Sequence, residues 1–300
     1  MYDQKCALKT EYKNLLAQLS NQTDLLISLE TEWKLAGPKR KILLLGGLAY
    51  AWSWNVIRSS QWERVIVPSQ DTQKKLKQSK IRSTTIPNGY DWSTFPRLEK
   101  LLNLRTLRPK MKILTSPHRP DATKGHKEAI LLTHKLLKNG LDCVLKVPHQ
   151  NFFMTPPAFY QDLQQFAARY LPRKNFITHP WIPQKQMAEY YADSDLTLAF
   201  GSAEEGFGAV VVESIVCGTP VLASRRGAIP SLVPPNHGLF LVDQQYQVKE
   251  GYEVAAQVLT SPAQSLDDII TRGRSYIESH YSQEKMIDKY LKVIQATLTT

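Results

Sequence analysis

The chain has 300 residues, an ordinary apolar fraction of 42% and a formal net charge of +11. This length allows one large domain or two of medium size, and no apolar run is long enough to span a membrane, which argues against an integral membrane protein. The positive charge indicates a phosphate-bearing partner, and because no nucleic-acid-binding motif is present, an anionic nucleotide or an anionic membrane surface fits better than nucleic acid.

The first 108 residues predict an incomplete α/β domain. Residues 1–20 are polar with a helical pattern, and four apolar runs predict strands at 24–29, 41–45, 64–67 and 83–86. The densest basic cluster runs from Lys74 to Arg82 and predicts a solvated helix face, with a patch for an anionic membrane surface as the alternative. The stretch 101–109, which ends in a proline, is predicted to be a linker.

The next segment, 109–280, predicts a complete parallel α/β domain, because apolar strands alternate with helical stretches. Its six predicted strands are 112–115, 142–147, 175–178, 196–200, 220–223 and 238–241, and six such strands complete a Rossmann-like sheet. The predicted helices are 125–138, 157–170, 185–193 and 209–217, with three late ones near 248–260, 266–279 and 283–296.

The most informative stretch, 202–221, joins an acidic turn, a glycine pair and an apolar helix. Glycines let backbone N–H groups approach a ligand closely, and the free N–H groups at a helix start favour an anion. Two carboxylates, Glu205 and Glu213, stand eight residues apart on either side of this anion site and suit hydroxyl groups. The pattern therefore favours a sugar on one side of a phosphate and a ribose on the other. The alternative is an ordinary strand-loop-helix unit, with Glu205 as a charge at the helix start.

This stretch, from Glu205-Gly206-Phe207-Gly208 through Glu213, resembles the E-x7-E region of retaining GT-B glycosyltransferases of the family 4 type, the glycosyl transferases group 1. Four further segments occur in the order of that family: Ile-Pro-Asn-Gly-Tyr-Asp at 86–91, Arg119 with Lys124-Gly125, the segment 181–195, and the loop 224–230. The resemblance extends from about residue 65 to 242. It implies a GT-B-like α/β fold with a shortened N-terminal, acceptor-side domain at 1–108, a nucleotide-sugar-binding domain at 109–280, and a last helix at 281–300 that crosses back to the first domain.

The resemblance also implies the roles of individual residues. Glu205 would contact hydroxyls of the transferred sugar, and Arg119 and Lys124 would neutralise the diphosphate leaving group. Both cations follow the 112–115 strand, at the edge where open α/β sheets place ligands, although surface solvation is the alternative for each. Glu213, on an apolar helix, needs a partner, either a ribose hydroxyl or a local cation. The implied donor-binding residues are Gly206, Phe207, Gly208, Ala209, Val210, Glu213 and Ile182.

Other polar and aromatic residues carry weaker interpretations. The histidines could reach a phosphate or line the nucleotide pocket, but structural or solvated roles are favoured for His118, His126, His149 and His179. Packing is favoured over a ligand contact for Tyr90 and Trp181, and it is at least as favoured as an acceptor contact for Trp52 and Trp54. The scattered cysteines Cys6, Cys143 and Cys217 show no metal-ligand spacing and are interpreted as packing residues in a reducing compartment.

The resemblance implies a retaining glycosyltransferase that moves a hexose or similar sugar from a nucleotide-diphosphate donor to a glycan, lipid or small molecule. No cofactor and no metal ion are predicted. No signal peptide is visible, so a cytoplasmic location is expected, with peripheral contact at the inner membrane surface as a further expectation.

Two departures from the family affect turnover and acceptor recognition: the segment 46–50 lacks the histidine common there, and Ser231 replaces a frequent glutamate. The alternatives are a non-catalytic donor-binding module that needs a partner to supply the acceptor domain, and a GT-B epimerase or other Rossmann-type enzyme. The order of the motifs and the absence of a dinucleotide fingerprint argue against the last of these.

Overall fold

A computed structural model describes residues 25–29, 40–47, 54, 56–58, 62–96, 98–99, 102, 111–149 and 157–299. The chain forms two compact units, Met1–Gly89 with Gln283–Thr300, and Tyr90–Ser282. The predicted helical stretch 1–20 lies outside the described residues. So does the predicted linker 101–109 except for Leu102, and the domain boundary after residue 108 stays a prediction.

The described parts of the chain include ten strands and eight helices with defined bounds, and further helical residues occur at 54, 56–58, 98–99 and 102. The strands are β1 (Leu25–Leu29), β2 (Arg40–Leu44), β3 (Arg64–Val67), β4 (Thr84–Thr85), β5 (Lys112–Thr115), β6 (Cys143–Pro148), β7 (Phe176–His179), β8 (Leu196–Ala199), β9 (Val221–Ser224) and β10 (Leu239–Val242). The helices are α1 (Gln70–Gln78), α2 (His126–Lys138), α3 (Pro157–Tyr170), α4 (Met187–Ala192), α5 (Ala209–Val216), α6 (Lys249–Thr260), α7 (Ala263–His280) and α8 (Gln283–Thr299).

The first unit is built on a parallel sheet in the order β1-β2-β3-β4. Helix α1 begins at Ser69, whose hydroxyl accepts a hydrogen bond from the Thr72 N–H at 3.2 Å, as N-cap serines do. Helix α8 belongs to this unit, and apolar side chains along it, including Met286, pack against Ile42 and Ile66. The end of the chain is therefore held by the hydrophobic core of the first unit.

The second unit is built on a six-stranded parallel sheet in the order β10-β9-β8-β5-β6-β7. The chain builds outward from β5 through β6 to β7, and then returns to the other side of β5 at β8. Such a reversal of strand order leaves a crevice at the carboxyl ends of the strands, where ligands bind in open α/β sheets. Buried residues from α2, α6 and the central strands, such as Leu114, Leu132 and Val258, form the core beneath it.

The two parallel sheets with flanking helices confirm the predicted α/β class, and most element ends agree with the prediction within one or two residues. Helix α8 ends three residues beyond its predicted end, and two other differences occur where a proline precedes a helix start. Helix α7 begins directly after Pro262, three residues before its predicted start, and α4 begins only after a 3₁₀ turn at Gln184–Gln186 that follows Pro183. Proline lacks an N–H and favours the first turn of a helix, which accounts for both positions.

Three further predictions concern packing and the membrane. Cys143 and Cys217 are buried in apolar clusters, as expected for packing residues, while Cys6 lies outside the described residues. Tyr90 packs within an aromatic group and stacks on Trp92 at 5.0 Å between ring centroids, in agreement with its packing role. Trp181 is 42% exposed, so it is not a core residue, and its packing role stays a prediction. No helix in the described ranges is long and apolar enough to cross a membrane.

Candidate functional site

Three loops meet around a cavity of about 110 Å³ at the carboxyl ends of β5, β8 and β9. They are called the β5, β8 and β9 loops after the strands that they follow. Strand β8 lies between β5 and β9 in the sheet, so the loop that follows β8 has a neighbour on each side. The residues that line the cavity are His118, Lys124, Ala199, Phe200, Gly201, Ala203, Glu205, Gly208, Ala209, Val210, Val211, Ser224, Arg226 and Ile229.

An ion pair joins the β5 loop to the β8 loop. The Nζ of Lys124 contacts Oε1 of Glu205, and the two side chains are 20% and 26% exposed. Asp121 shapes the turn before Lys124, since its Oδ1 accepts a hydrogen bond from the Thr123 N–H at 2.8 Å. The pair is shielded enough from water to be stronger than a surface ion pair, and it places one cation and one carboxylate at the same point of the cavity.

Glycine is required where the β5 loop ends. Gly125 has φ +71°, and a Cβ there would lie 2.5 Å from both the Cβ and the carbonyl oxygen of Phe200. Any side chain would push the β5 loop away from the end of β8. The close approach of these two backbones is what brings Lys124 within reach of Glu205.

The glycine-rich loop after β8 starts helix α5 inside the cavity. Gly208 has φ +97°, a left-handed conformation, and is the N-terminal cap of α5. The first helical residues, Ala209 and Val210, line the cavity, and N–H groups in a first turn lack partners within the helix. The side chain of Phe207 is buried against Tyr281, with ring centroids 5.4 Å apart, so Phe207 offers only its backbone to a ligand. The helix start can therefore bind an anion with backbone donors.

The β5 loop contributes a neutral imidazole to the cavity and an arginine that does not line it. His118 lines the cavity, and burial together with the nearby Lys124 charge holds its pKa well below the usual value. His126 is buried and bonds to the Ser116 hydroxyl and to the Arg119 carbonyl, each at 3.0 Å, which agrees with a structural role. The Nη2 of Arg119 lies 3.4 Å from Asp121, and Arg119 is not among the residues that line the cavity. Its diphosphate contact stays a prediction.

Glu213 borders a second cavity, of about 410 Å³, which Phe95, Gln184 and Lys185 also line. The Tyr191 hydroxyl donates a hydrogen bond to Oε2 of Glu213 at 3.2 Å, so the partner seen in the protein is a tyrosine and not the local cation that was one of the two expectations. Burial raises the pKa of Glu213 from 4.5 to about 7. Glu213 lies five residues after Gly208, about 7 Å along the axis of α5, and the helix thus connects the two cavities.

Several predicted site residues lie apart from these cavities, and several lining residues were not predicted. Of the predicted donor-binding residues, Gly206, Phe207 and Ile182 are not among the residues that line either cavity. His179, for which a structural or solvated role was favoured, bonds through Nε2 to the Tyr190 hydroxyl at 2.9 Å. Arg226 and Tyr191 were missed. Arg226 follows strand β9, so its position at the carboxyl edge could have been found from the strand prediction, whereas Tyr191 on α4 gave no sequence signal.

This arrangement can hold an anion between two groups of hydroxyls. Lys124 and the start of α5 supply positive charge and N–H donors, while Glu205 and Glu213 supply acceptors on either side. No group of three or more His, Cys, Asp and Glu side chains in the described part of the chain is placed to hold a metal ion. The chemistry of the site therefore fits a phosphate ester with a hydroxyl-rich group at each end.

Solved structures share the fold of this chain. Sucrose-phosphate synthase from Thermosynechococcus elongatus superposes with a TM-score of 0.79 over 93% of this chain and 75% of its own, at 16% identity. HepE from Anabaena, in complex with UDP-glucose, gives a TM-score of 0.78 over 95% of this chain and 82% of its own, at 17% identity. These similarities confirm the predicted GT-B-like fold.

Sequence comparison gives the family. D-inositol 3-phosphate glycosyltransferase from Segniliparus rotundus is 35% identical over 126 residues, which are 41% of this chain and 27% of that enzyme. The match thus spans about a quarter of the length of this curated relative. The family model described as glycosyl transferases group 1 matches residues 103–276, more than half of the chain and the whole of both cavities except for Thr94 and Phe95. The chain belongs to the glycosyl transferases group 1 family.

Proposed function

We propose that the protein transfers a sugar from a nucleoside diphosphate donor to an acceptor hydroxyl with retention of configuration. The observation that carries this proposal is the order of groups along α5: the Lys124–Glu205 pair, the helix start at Gly208, and Glu213 about 7 Å further on. A nucleotide sugar presents its groups in the same order, as sugar, diphosphate and ribose.

Each part of the donor has a matching group in the protein. The carboxylate of Glu213 accepts hydrogen bonds from ribose hydroxyls, and the wider cavity beside it, lined by Phe95, Gln184 and Lys185, receives the base. The N–H groups that start α5 and the Lys124 ammonium bind the diphosphate, with Arg119 as the further cation of the same loop. Glu205 accepts hydrogen bonds from hydroxyls of the sugar. Protein groups fixed in this way stabilise developing charge without having to reorganise.

The chemical step breaks the bond between the anomeric carbon and the oxygen of the distal phosphate. The departing phosphate gains negative charge, which Lys124 and the α5 N–H groups stabilise. The acceptor oxygen bonds to the same face of the anomeric carbon, and its proton passes to an oxygen of the leaving diphosphate. Retention follows from attack on the face that the phosphate leaves. This scheme needs no divalent ion, because the protein supplies the positive charge.

The acceptor is a hydroxyl of a glycan, a lipid or a small molecule. The exposed lysines of α1, Lys74 and Lys77, together with Lys80 just after the helix, support a peripheral contact with an anionic membrane for a lipid-borne acceptor. Sedimentation with phosphatidylglycerol vesicles but not with phosphatidylcholine vesicles would support this contact. Equal sedimentation with both vesicles, or none, would argue for an acceptor in solution.

Calorimetric titration of the chain with UDP, GDP and ADP tests donor binding. One nucleotide should bind, and Lys124→Ala should weaken its binding by about 10- to 100-fold, since hydrogen bonds to charged groups contribute roughly 1.5–3 kcal/mol. Glu213→Ala should weaken it as well. Exposed Lys138 and Glu189 provide charge-matched controls, and Lys138→Ala and Glu189→Ala should bind as the unaltered chain does.

Two results would contradict the proposal. Absence of binding for all three nucleotides would remove the donor site, and a product with inverted configuration at the anomeric carbon, measured by proton coupling constants, would remove the retaining step. A chain that binds a nucleotide and turns over alone would also exclude the need for a separate partner.

A further inference from the structure

A second cation, Arg226, lines the cavity that contains Lys124 and Glu205. It stands two residues after β9, at the carboxyl edge of the sheet. Its Nε is buried and has no hydrogen-bond partner, and no ion pair to Arg226 is seen within the described ranges. A guanidinium that lacks a protein partner in a partly buried position is costly unless a ligand supplies the acceptors.

The backbone fixes Arg226 beside the residue that binds the sugar. The next residue, Gly227, has φ +50°, and a Cβ there would lie 2.2 Å from the carbonyl oxygen of Glu205. The Ala228 N–H donates a hydrogen bond to the same carbonyl at 2.9 Å. The β9 loop therefore packs directly on the backbone of Glu205, and Arg226 enters the cavity from the side opposite to the β5 loop.

The charges of the cavity do not balance without a ligand. Lys124 is matched by Glu205, and the low pKa of His118 leaves that imidazole neutral at physiological pH. Arg226 remains as one unmatched positive charge. The diphosphate already has Lys124 and the start of α5, whereas Arg226 lies next to Glu205, where the sugar ring is expected.

We propose that Arg226 binds a carboxylate carried by the transferred sugar, so that the preferred donor is a nucleoside diphosphate uronic acid. This inference rests on the proposed function and deepens it. The planar guanidinium forms two parallel hydrogen bonds with a carboxylate, a geometry that no sugar hydroxyl matches. Arg226 is then a specificity-determining residue, and Glu205 holds the ring hydroxyls while Arg226 selects the acidic group.

The test compares charged and neutral donors on the same base. The chain and its Arg226→Gln and Arg226→Lys variants are titrated with UDP, UDP-glucose and UDP-glucuronate, and with GDP, GDP-mannose and GDP-mannuronate. For the base that binds, the unaltered chain should prefer the uronate over the neutral sugar by about tenfold or more, as expected for a charge-assisted pair. Arg226→Gln should abolish this preference and leave the affinity for the free nucleoside diphosphate within about twofold, since Lys124 and α5 hold the diphosphate. Arg226→Lys should keep part of the preference.

The neighbouring Arg225 is a matched control, because it is exposed and paired with Asp243 at 3.2 Å. Arg225→Gln removes the same charge and should leave all affinities unchanged. If Arg226→Gln weakens the free diphosphate as much as the uronate, Arg226 binds phosphate and the inference is wrong. Equal affinity of the unaltered chain for uronate and neutral donors also overturns it. Failure of every nucleoside diphosphate to bind would instead overturn the proposed function.

Discussion

Replacing Glu213 by glutamine should remove a pH dependence of stability from the ligand-free protein. The pKa of Glu213 is raised from 4.5 to about 7 because the carboxylate is buried between α5 and Tyr191. Between these two pH values the folded chain holds a proton at Glu213 that the unfolded chain has released. This contribution to stability is therefore fully present below pH 4.5 and is lost as the pH rises through about 7.

The size of the effect follows from the two values. The interval from 4.5 to about 7, at about 1.36 kcal/mol per pH unit, corresponds to roughly 3 kcal/mol. Glutamine has the shape of the protonated acid and can still accept the hydrogen bond from Tyr191. The free energy of unfolding of Glu213→Gln should therefore equal that of the unaltered protein near pH 4.5 and exceed it by about 2–3 kcal/mol at pH 8.

Denaturant unfolding of the full chain at several pH values between 4.5 and 8 measures this difference. The signal used to monitor unfolding should report on the unit Tyr90–Ser282, because that unit contains Glu213. Exposed Glu189 on α4 is the matched control, and Glu189→Gln should keep the pH dependence of the unaltered chain. If the free energies of unfolding of the unaltered chain and of Glu213→Gln changed with pH in parallel, the reasoning would be refuted. The carboxylate would then have the same pKa in the folded and unfolded states.

Three further predictions concern the same region. Nucleotide binding should favour ionised Glu213, since ribose hydroxyls donate to the carboxylate; the affinity should rise between pH 6 and 8, with proton release visible as a dependence of the binding heat on the buffer. Tyr191→Phe removes a donor to Glu213 and should move the stability loss to higher pH, and an unchanged midpoint would contradict the role of Tyr191. Gly227→Ala should lower the free energy of unfolding by about 2–4 kcal/mol and weaken donor binding, because its Cβ meets the Glu205 carbonyl; Gly140→Ala, also at positive φ but with open space around it, should cost only about 1 kcal/mol and leave binding intact.

The sequence was sufficient to predict the fold because its elements carry strong local patterns. Continuous apolar runs such as those of β5 and β8 predict buried parallel strands, and these strands are found at or within one residue of the expected limits. The short strand β4 has only Thr84–Thr85 in register with β3, because pairing depends on the neighbour and not on the apolar run itself.

The candidate site was only partly accessible from the sequence. The pairing of Lys124 with Glu205 depends on residues 81 positions apart that meet only because β5 and β8 are neighbours in the sheet. Arg226 follows a predicted strand and lies in the loop 224–230 that resembles the family, but the resemblance implied no role for its side chain. Tyr191 lies on a helix whose face cannot be assigned from spacing alone. The environment of a residue is set by sheet order, which the sequence predicts less directly than strand positions.

Gly227 and Arg226 are neighbours in the chain but differ in how far the fold constrains their replacement. Gly227 is locked by backbone contact, so any replacement disturbs the loop that carries Glu205. The side chain of Arg226, one residue earlier, forms no hydrogen bond or ion pair with the described residues, so its replacement breaks none. Substitution at 226 should therefore cost the fold little. Under the proposed role of Arg226, a single substitution there changes which sugar the protein prefers and leaves the groups that bind the diphosphate in place.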